Sequence, residues 1–382
     1  MTAFEFATAD RIVFGNGSSA SVPRWATELG AVILVIAGRE PARAEWLVEG
    51  LQQHGAAVIL ACVDGEPDLA FVSGGADLAR RRSVEVVVGV GGGSALDAAK
   101  AIAALATNDG DPLDYLEVVG RGKAIAHAPL PFIAVPTTAG TGSEATRNAV
   151  LTVPGRRVKA SLRSPLMLPR VAVVDPTLTY SLPPPITATT GLDALTQLIE
   201  PFLSSRASAM TDALCRDGIA RVARSVERAC RDGHDASARA DMSLASLFGG
   251  IALANAGLGA VHGLAAPIGG LCHAPHGAVC AALLPHVFAA NVGAMREAGM
   301  SEVLDRAAEV GRLLAGRSDP EAAIAWLAGI VERLGVPRLG ALGVDAAHLS
   351  AIAEQAQRSS SMKGNPVVLS AARLVAVLKA AR

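Results

Sequence analysis

The stretch Val84 to Lys100, VEVVVGVGGGSALDAAK, admits few folds. An apolar run of strand length meets Gly89, Gly91, Gly92 and Gly93 and then alanine-rich helix formers, which predicts strand, tight turn and helix in direct succession. Without a Cβ, these glycines let the backbone take positive φ and approach an anion closely. Ser94 is placed to cap the helix, whose free N–H groups and positive dipole end then face the turn. A pyrophosphate fits there. The spacing departs from the strict dinucleotide fingerprint, because Ser94 stands where the third glycine belongs, and the same residues also suit a plain tight turn.

Other apolar runs repeat the pattern. Ala31–Ala37 (AVILVIA), Val58–Cys62, Val84–Val88 and Val171–Val174 read as strands, Arg11–Phe14 as a shorter one, and helical patterns such as Ala42–Gln53 lie between them. Alternation of this kind predicts a doubly wound parallel α/β sheet. Hydrophobic residues make up 51% of the chain but aromatics only 3%, so the cores must be built from Ala, Val, Leu and Ile. The stiff SLPPP segment, Ser181–Pro185, ends this region, and from Ile186 onward the pattern is helical with no convincing strand. We therefore expect residues 1–184 to form a dinucleotide-binding α/β domain and residues 185–382 an all-helical domain carrying the catalytic site. Arg358–Gly364 (RSSSMKG) reads as a mobile loop.

Ligands of such sheets gather at the carboxyl ends of the strands, which directs attention to Gly38 and Arg39 after the second strand. No acidic residue stands there to hold a ribose 2′-hydroxyl. Gly38 leaves room and Arg39 can pair with a phosphate, so the expected cofactor is NAD or NADP with a lean towards NADP. In PFIAVPTTAGTGSEATRNAV, a strand runs into a loop of small hydroxyl residues around Gly140 and Gly142, suited to hydrogen-bonding phosphate and ribose.

A formal net charge of -1 gives no electrostatic reason to expect nucleic acid or an anionic membrane, so the partner is a small molecule. Cys62, Cys215, Cys230, Cys272 and Cys280 are odd in number and contain no CxxC pair, which predicts reduced, structural cysteines. The segment MTAFEFATADR lacks the basic head and apolar run of a secretion signal, and the expected location is the cytoplasm.

Two segments of the helical half concentrate potential ligands. GLDALTQLIEPF puts Asp193 and Gln197 one turn apart on one helix face, and VHGLAAPIGGLCHAPHG holds His262, His273 and His276, three of the eight histidines. Converging imidazoles and a carboxylate can hold a divalent metal that polarises a carbonyl oxygen. Each histidine alone is more often a hydrogen-bonded interior residue.

The stretches GGGSALDAAK, PTTAGTGSEAT, LPP, TGLDALTQ and HGLAAPIGG...PHG, in this order and over most of the chain, resemble the iron-containing (group III) alcohol dehydrogenase family. Maleylacetate reductases and glycerol dehydrogenases belong to the same superfamily. The resemblance implies a Rossmann-like domain, a helical domain, a cleft between them and a homodimer. It implies that Gly92, Gly93, Ser94 and Asp97 hold the pyrophosphate and that Thr137, Thr138, Thr141, Thr146, Val150 and Lys159 line the nicotinamide cofactor. Asn148 matches a substrate-pocket position, with Arg147 beside it.

The family's four metal ligands correspond to Asp193, Gln197, His262 and His276, so a glutamine stands where the second ligand is a histidine. An amide oxygen is a weaker ligand for iron or zinc than imidazole. A family histidine implicated in proton transfer is Ala266 here, and His273 is a candidate substitute as ligand or acid. Sites with and without metal both stay open, and His262, His273 and His276 are the catalytic candidates.

The function expected is an NAD(P)-dependent oxidoreductase interconverting a small alcohol and its aldehyde or ketone. Two alternatives remain: reduction of an unsaturated oxo acid, with Arg147 or Arg163 gripping a carboxylate, and a dinucleotide-binding protein whose catalytic site has decayed.

Overall fold

The computed structural model describes residues 3–153, 155, 158–272 and 274–382, which divide into two compact units. One comprises residues 8–138 and 142–179. The other comprises residues 1–7, 139–141 and 180–382.

In the first unit, β1 (Ile12–Phe14), β2 (Val32–Ala37), β3 (Ala57–Cys62), β4 (Val86–Gly91), β5 (Phe132–Pro136) and β8 (Val171–Val174) form one sheet in the order β1-β8-β5-β4-β2-β3, every pair parallel. The crossover helices are α1 (Val22–Leu29), α2 (Glu45–Gln53), α3 (Leu69–Arg81) and α4 (Gly93–Ala106). Side chains alternate between faces along each strand. Leu34, Ile36, Val87, Phe132 and Ala134 therefore pack with residues of α3 and α4, while Ile33, Val35, Val86, Val88, Ile133 and Val135 pack with those of α1 and α2. β4 and β5 are buried along their whole length, as a strand covered on both sides must be. The chain leaves β2 towards β3 on one side and resumes at β4 on the other. The switch point thus lies between β2 and β4, where doubly wound sheets place ligands.

One element was not foreseen. β6 (Asn148–Val153) and β7 (Val158–Arg163) pair antiparallel as a separate two-stranded sheet, with Ala149, Leu151, Ala160 and Leu162 buried in the same cluster as α4.

The second unit contains no strand among its described residues. Its helices are α5 (Pro184–Leu203), α6 (Ala209–Arg231), α7 (Ala236–Ala256), α8 (Ala260–Cys272), α9 (His276–Glu297), α10 (Ser301–Ala315), α11 (Pro320–Arg333), α12 (Leu349–Gln357) and α13 (Ala371–Ala381). α5 is buried on nearly every side and packs against α6, α7 and α9. Gly257, with φ +74°, lets the chain turn 98° between α7 and α8. α9 is the one described helix long and apolar enough to cross a membrane by itself, but 78% of its most apolar window is buried inside the protein. The Arg358–Gly364 stretch, expected as a mobile loop, ends in a 3-10 turn, Ser361–Gly364, whose Met362 packs on the helical core.

Candidate functional site

Because β2 and β4 are neighbours with Ala37 opposite Val90, Gly38 and Gly91 end side by side. Gly91 has φ +153°, and a Cβ there would stand 2.7 Å from Ala95 Cβ and 3.4 Å from the Gly38 amide nitrogen. Gly38 itself faces open space. The helix cap is Gly92, extended at φ -76° and ψ -174°, so α4 starts at Gly93, two residues before the start that would make Ser94 its cap. Gly93 and Ser94 form the first turn, whose N–H groups have no partner within the helix. Gly89, expected in the turn, lies inside β4, where a Cβ would meet Ala99 Cβ at 2.9 Å. That glycine serves close packing of helix on strand. Thr137 N–H donates to Gly91 O at 2.8 Å, and the Thr138 methyl carbon stands 3.3 Å from where a Gly92 Cβ would be.

The remaining dinucleotide candidates have partners of their own. Asp97 accepts from Ser143 Oγ at 2.5 Å and from Val150 N–H at 2.9 Å, so its carboxylate clamps the Thr/Gly loop and β6 onto α4. Lys100, one turn on and fully buried, donates to Ser143 O (2.8 Å), Thr146 Oγ1 (2.8 Å) and Asn148 O (2.8 Å). Burial pulls its pKa down to about 8 against the pull of Asp97 and Glu144, and burial likewise pushes Glu144 up to about 7. Lys159 pairs with Glu66 at 2.5 Å, and Arg163 with Glu117 at 3.0 Å. Arg39 lies 3.4 Å from Asp64, a carboxylate two residues past β3 that sequence reading did not connect with it. Thr141 groups with the helical unit, whereas Arg147 and Asn148 belong to the sheet unit.

In the helical unit, α5 presents Asp193, Gln197 and Glu200 along one buried stripe at i, i+4 and i+7. α8 supplies His262, and α9 supplies His276 and Cys280. Ligand atoms of Asp193, His262, His276 and Cys280 all lie within 4.8 Å of one another. His262 Nε2 is 3.5 Å and His276 Nε2 3.8 Å from Asp193 Oδ1, and Cys280 Sγ is 3.6 Å from His276 Nε2. His273, the proposed substitute, lies outside the described residues.

Glu200 fixes the start of α8. Its Oε1 accepts from Val261 N–H at 2.7 Å and its Oε2 from His262 Nδ1 at 2.6 Å. With Nδ1 protonated for Glu200, the neutral imidazole turns its Nε2 lone pair towards Asp193 and His276. Gln197 Nε2 donates to Asp193 Oδ2 at 3.1 Å. Asp193 Oδ1 and Gln197 Oε1 are buried without a hydrogen-bond partner. Asp193 itself is only 1% exposed. Such orphaned acceptors are rare in folded proteins and call for a cation or a donor.

Burial works against charging His262, but Cys280, the Glu200 carboxylate and the neighbouring Asp193 hold its pKa well above the usual imidazole value. Cys280 raises His276 to about 9, with Asp193 adding to it against burial. Burial opposes ionisation of Asp193, yet His276 and His262 keep its pKa below the ordinary range. The donor set is anionic, buried and rich in nitrogen and sulfur, which suits a borderline-soft divalent ion. The residues fit a metal. His276, 39% exposed at its side chain, is the most open member.

Sequence reading missed Glu200, Cys280 and Lys100. The signal for the first two was helical spacing: Glu200 continues the Asp193/Gln197 stripe, and Cys280 follows His276 by one turn. A search for CxxC pairs passes over a lone cysteine beside a histidine.

Residues 9–176 match the family model described as iron-containing alcohol dehydrogenase, and residues 187–382 the C-terminal model of the Fe-containing alcohol dehydrogenase family. Alcohol dehydrogenase 4 of Saccharomyces cerevisiae is 40% identical over 316 residues, covering 82% of this chain and 80% of the yeast protein. A crystal structure of 1,3-propanediol oxidoreductase superposes with a TM-score of 0.90 at 32% identity, covering 100% of both chains. That of sulfoacetaldehyde reductase from Bifidobacterium kashiwanohense in complex with NAD+ superposes with a TM-score of 0.87 at 29% identity, covering 99% of this chain and 98% of that one.

Proposed function

The chain belongs to the iron-containing alcohol dehydrogenase family, and on that premise we propose that Asp193, His262 and His276 hold a divalent ion while the turn after β4 holds a nicotinamide dinucleotide. It is an oxidoreductase that interconverts an alcohol and its aldehyde or ketone. The observation that carries the metal assignment is the convergence of those side chains on the buried, unpartnered Oδ1 of Asp193. Bound in those places, the ion supplies Lewis acidity to a carbonyl oxygen and the dinucleotide supplies or accepts hydride.

The chain's own residues do the positioning. Glu200 locks the His262 tautomer so that Nε2 offers a lone pair. Gln197 holds Asp193 Oδ2, which leaves Oδ1 as the ligand atom. Gly91, Gly92 and Gly93 leave the backbone open to a pyrophosphate, and the first turn of α4 offers it N–H groups. In a site without the ion, the His262 and His276 imidazoles are the groups able to donate to a carbonyl oxygen and then to protonate it.

For the dinucleotide, the reading favours a 2′-phosphate. Support comes from the open space at Gly38 and the exposed guanidinium of Arg39, whose pairing with Asp64 is solvent-screened and weak. Arg39→Ala should lower kcat/KM for NADPH about tenfold and leave NADH nearly unchanged. Equal losses with both dinucleotides would remove Arg39 from the site. By the family resemblance, the protein is read as a homodimer, which sedimentation of the purified chain tests.

The deciding experiment is turnover of the His262→Ala/His276→Ala double variant on a panel of simple aldehydes and oxo acids. Turnover should fall below detection while dinucleotide binding persists. Unchanged turnover refutes the site, and activity confined to oxo acids would turn attention to Arg147.

A further inference from the structure

We propose that Cys280 is a metal ligand, its thiolate completing a four-residue Asp-His-His-Cys site in the place left by Gln197; this rests on the metal reading above. A tetrahedral ion with bonds of ~2.0–2.3 Å keeps neighbouring ligand atoms about 3.3–3.8 Å apart. The Asp193–His262, Asp193–His276 and His276–Cys280 separations of 3.5, 3.8 and 3.6 Å are edges of that size. Cys280 is fully buried, and it stands one turn after His276 on the same face of α9.

Gln197 is placed differently. Its amide N–H is spent on Asp193 Oδ2, and turning the amide over would set its carbonyl against that carboxylate. Its Oε1 is a neutral donor competing with a thiolate, the stronger ligand for a borderline-soft ion. The glutamine therefore acts as a prop for Asp193, and the ligand atom missing for want of a histidine at this place is supplied from α9. On ligation the Sγ–H bond breaks, sulfur keeps the electron pair for the metal, and the proton leaves to solvent. Two anionic ligands and two imidazoles leave a dication formally neutral, and the thiolate favours zinc-class ions over magnesium-class ones.

The full-length protein stripped with a chelator and reloaded with Co(II) tests this without recourse to turnover. Wild type should bind one Co(II) with a sulfur-to-metal charge-transfer band in the near ultraviolet. Cys280→Ser should lose the band and bind Zn(II) more than about 100-fold more weakly in competition with a chromogenic chelator, beyond the range of an outer-shell change. Gln197→Ala should keep the band, and circular dichroism reports the fold of each variant. Co(II) bound without the band, or a band that survives Cys280→Ser, overturns the assignment of Cys280 and leaves the other three ligands standing. No Co(II) bound to the folded wild type overturns both.

Discussion

Replacing Glu200 by glutamine changes one oxygen for an NH2 group, and the structure dictates which. Glu200 Oε1 accepts from Val261 N–H at 2.7 Å, in a buried place where that donor has no substitute partner. The amide oxygen must stay there, because an unsatisfied buried N–H costs about 1–3 kcal/mol. The NH2 group is thereby turned to His262 Nδ1, 2.6 Å away from the present carboxylate oxygen. A neutral imidazole receiving that bond accepts at Nδ1 and carries its hydrogen on Nε2, where the lone pair now faces Asp193 and His276. The tautomer reverses, and the metal loses a ligand atom without any change of shape. Outer-shell changes of this kind lower metal affinity ~10–100-fold, or about 1.4–2.7 kcal/mol, and a reversed tautomer belongs at the upper end. Chelator competition with Zn(II) measures it. Nitrogen-15 chemical shifts of the metal-free protein, recorded above the raised His262 pKa so that the ring is neutral, report the tautomer independently, together with a His262 pKa lowered by the loss of the Glu200 charge. Zinc affinity within threefold of wild type and an unchanged imidazole spectrum would refute the reasoning.

Glu144→Gln removes a buried group whose folded pKa, about 7, exceeds its ordinary 4.5. Stability from such a group is present below 4.5 and lost as pH rises towards 7, about 3 kcal/mol at 1.36 kcal/mol per pH unit. The wild-type melting temperature should therefore fall between pH 5 and 7.5 by about 6–12 °C relative to the variant's, less whatever Lys100 loses with its charged neighbour. Parallel profiles would count against it. Gly91→Ala puts a Cβ 2.7 Å from Ala95 Cβ at φ +153°, and fluorescence titration should show dinucleotide affinity down more than about tenfold. Gly38→Asp, in open space, should leave the fold intact and shift preference from NADPH to NADH in paired kinetic assays.

The sheet was legible in the chain because its strands are buried on both faces and read as unbroken apolar runs, such as AVILVIA for β2. β6 and β7 were hidden. Their alternating residues, with Val150 out and Leu151 in, sit directly after the Thr/Gly loop, whose hydroxyl groups drew the reading to ligand binding. Asp193, His262 and His276 stood out by residue type, but side chains that act through others did not. Glu200 in LIEPF looks like an ordinary helix acid until α8 is packed beside it, and Asp64 meets Arg39 only because β2 and β3 are neighbours. Residue type survives in a sequence, whereas a pairing between elements exists only after they are packed.

The burial of α9 has a consequence for how the protein is made. His276–Glu297 spans 22 residues, about the length that crosses a bilayer, so a nascent chain exposing it presents a segment that membrane-insertion machinery can engage. α5 and α8, which shelter one side, are translated earlier and can be waiting for it, but α11 and α13 emerge later. For that interval the helix carrying His276 and Cys280 is greasy and half-covered, a natural client for a ribosome-associated chaperone.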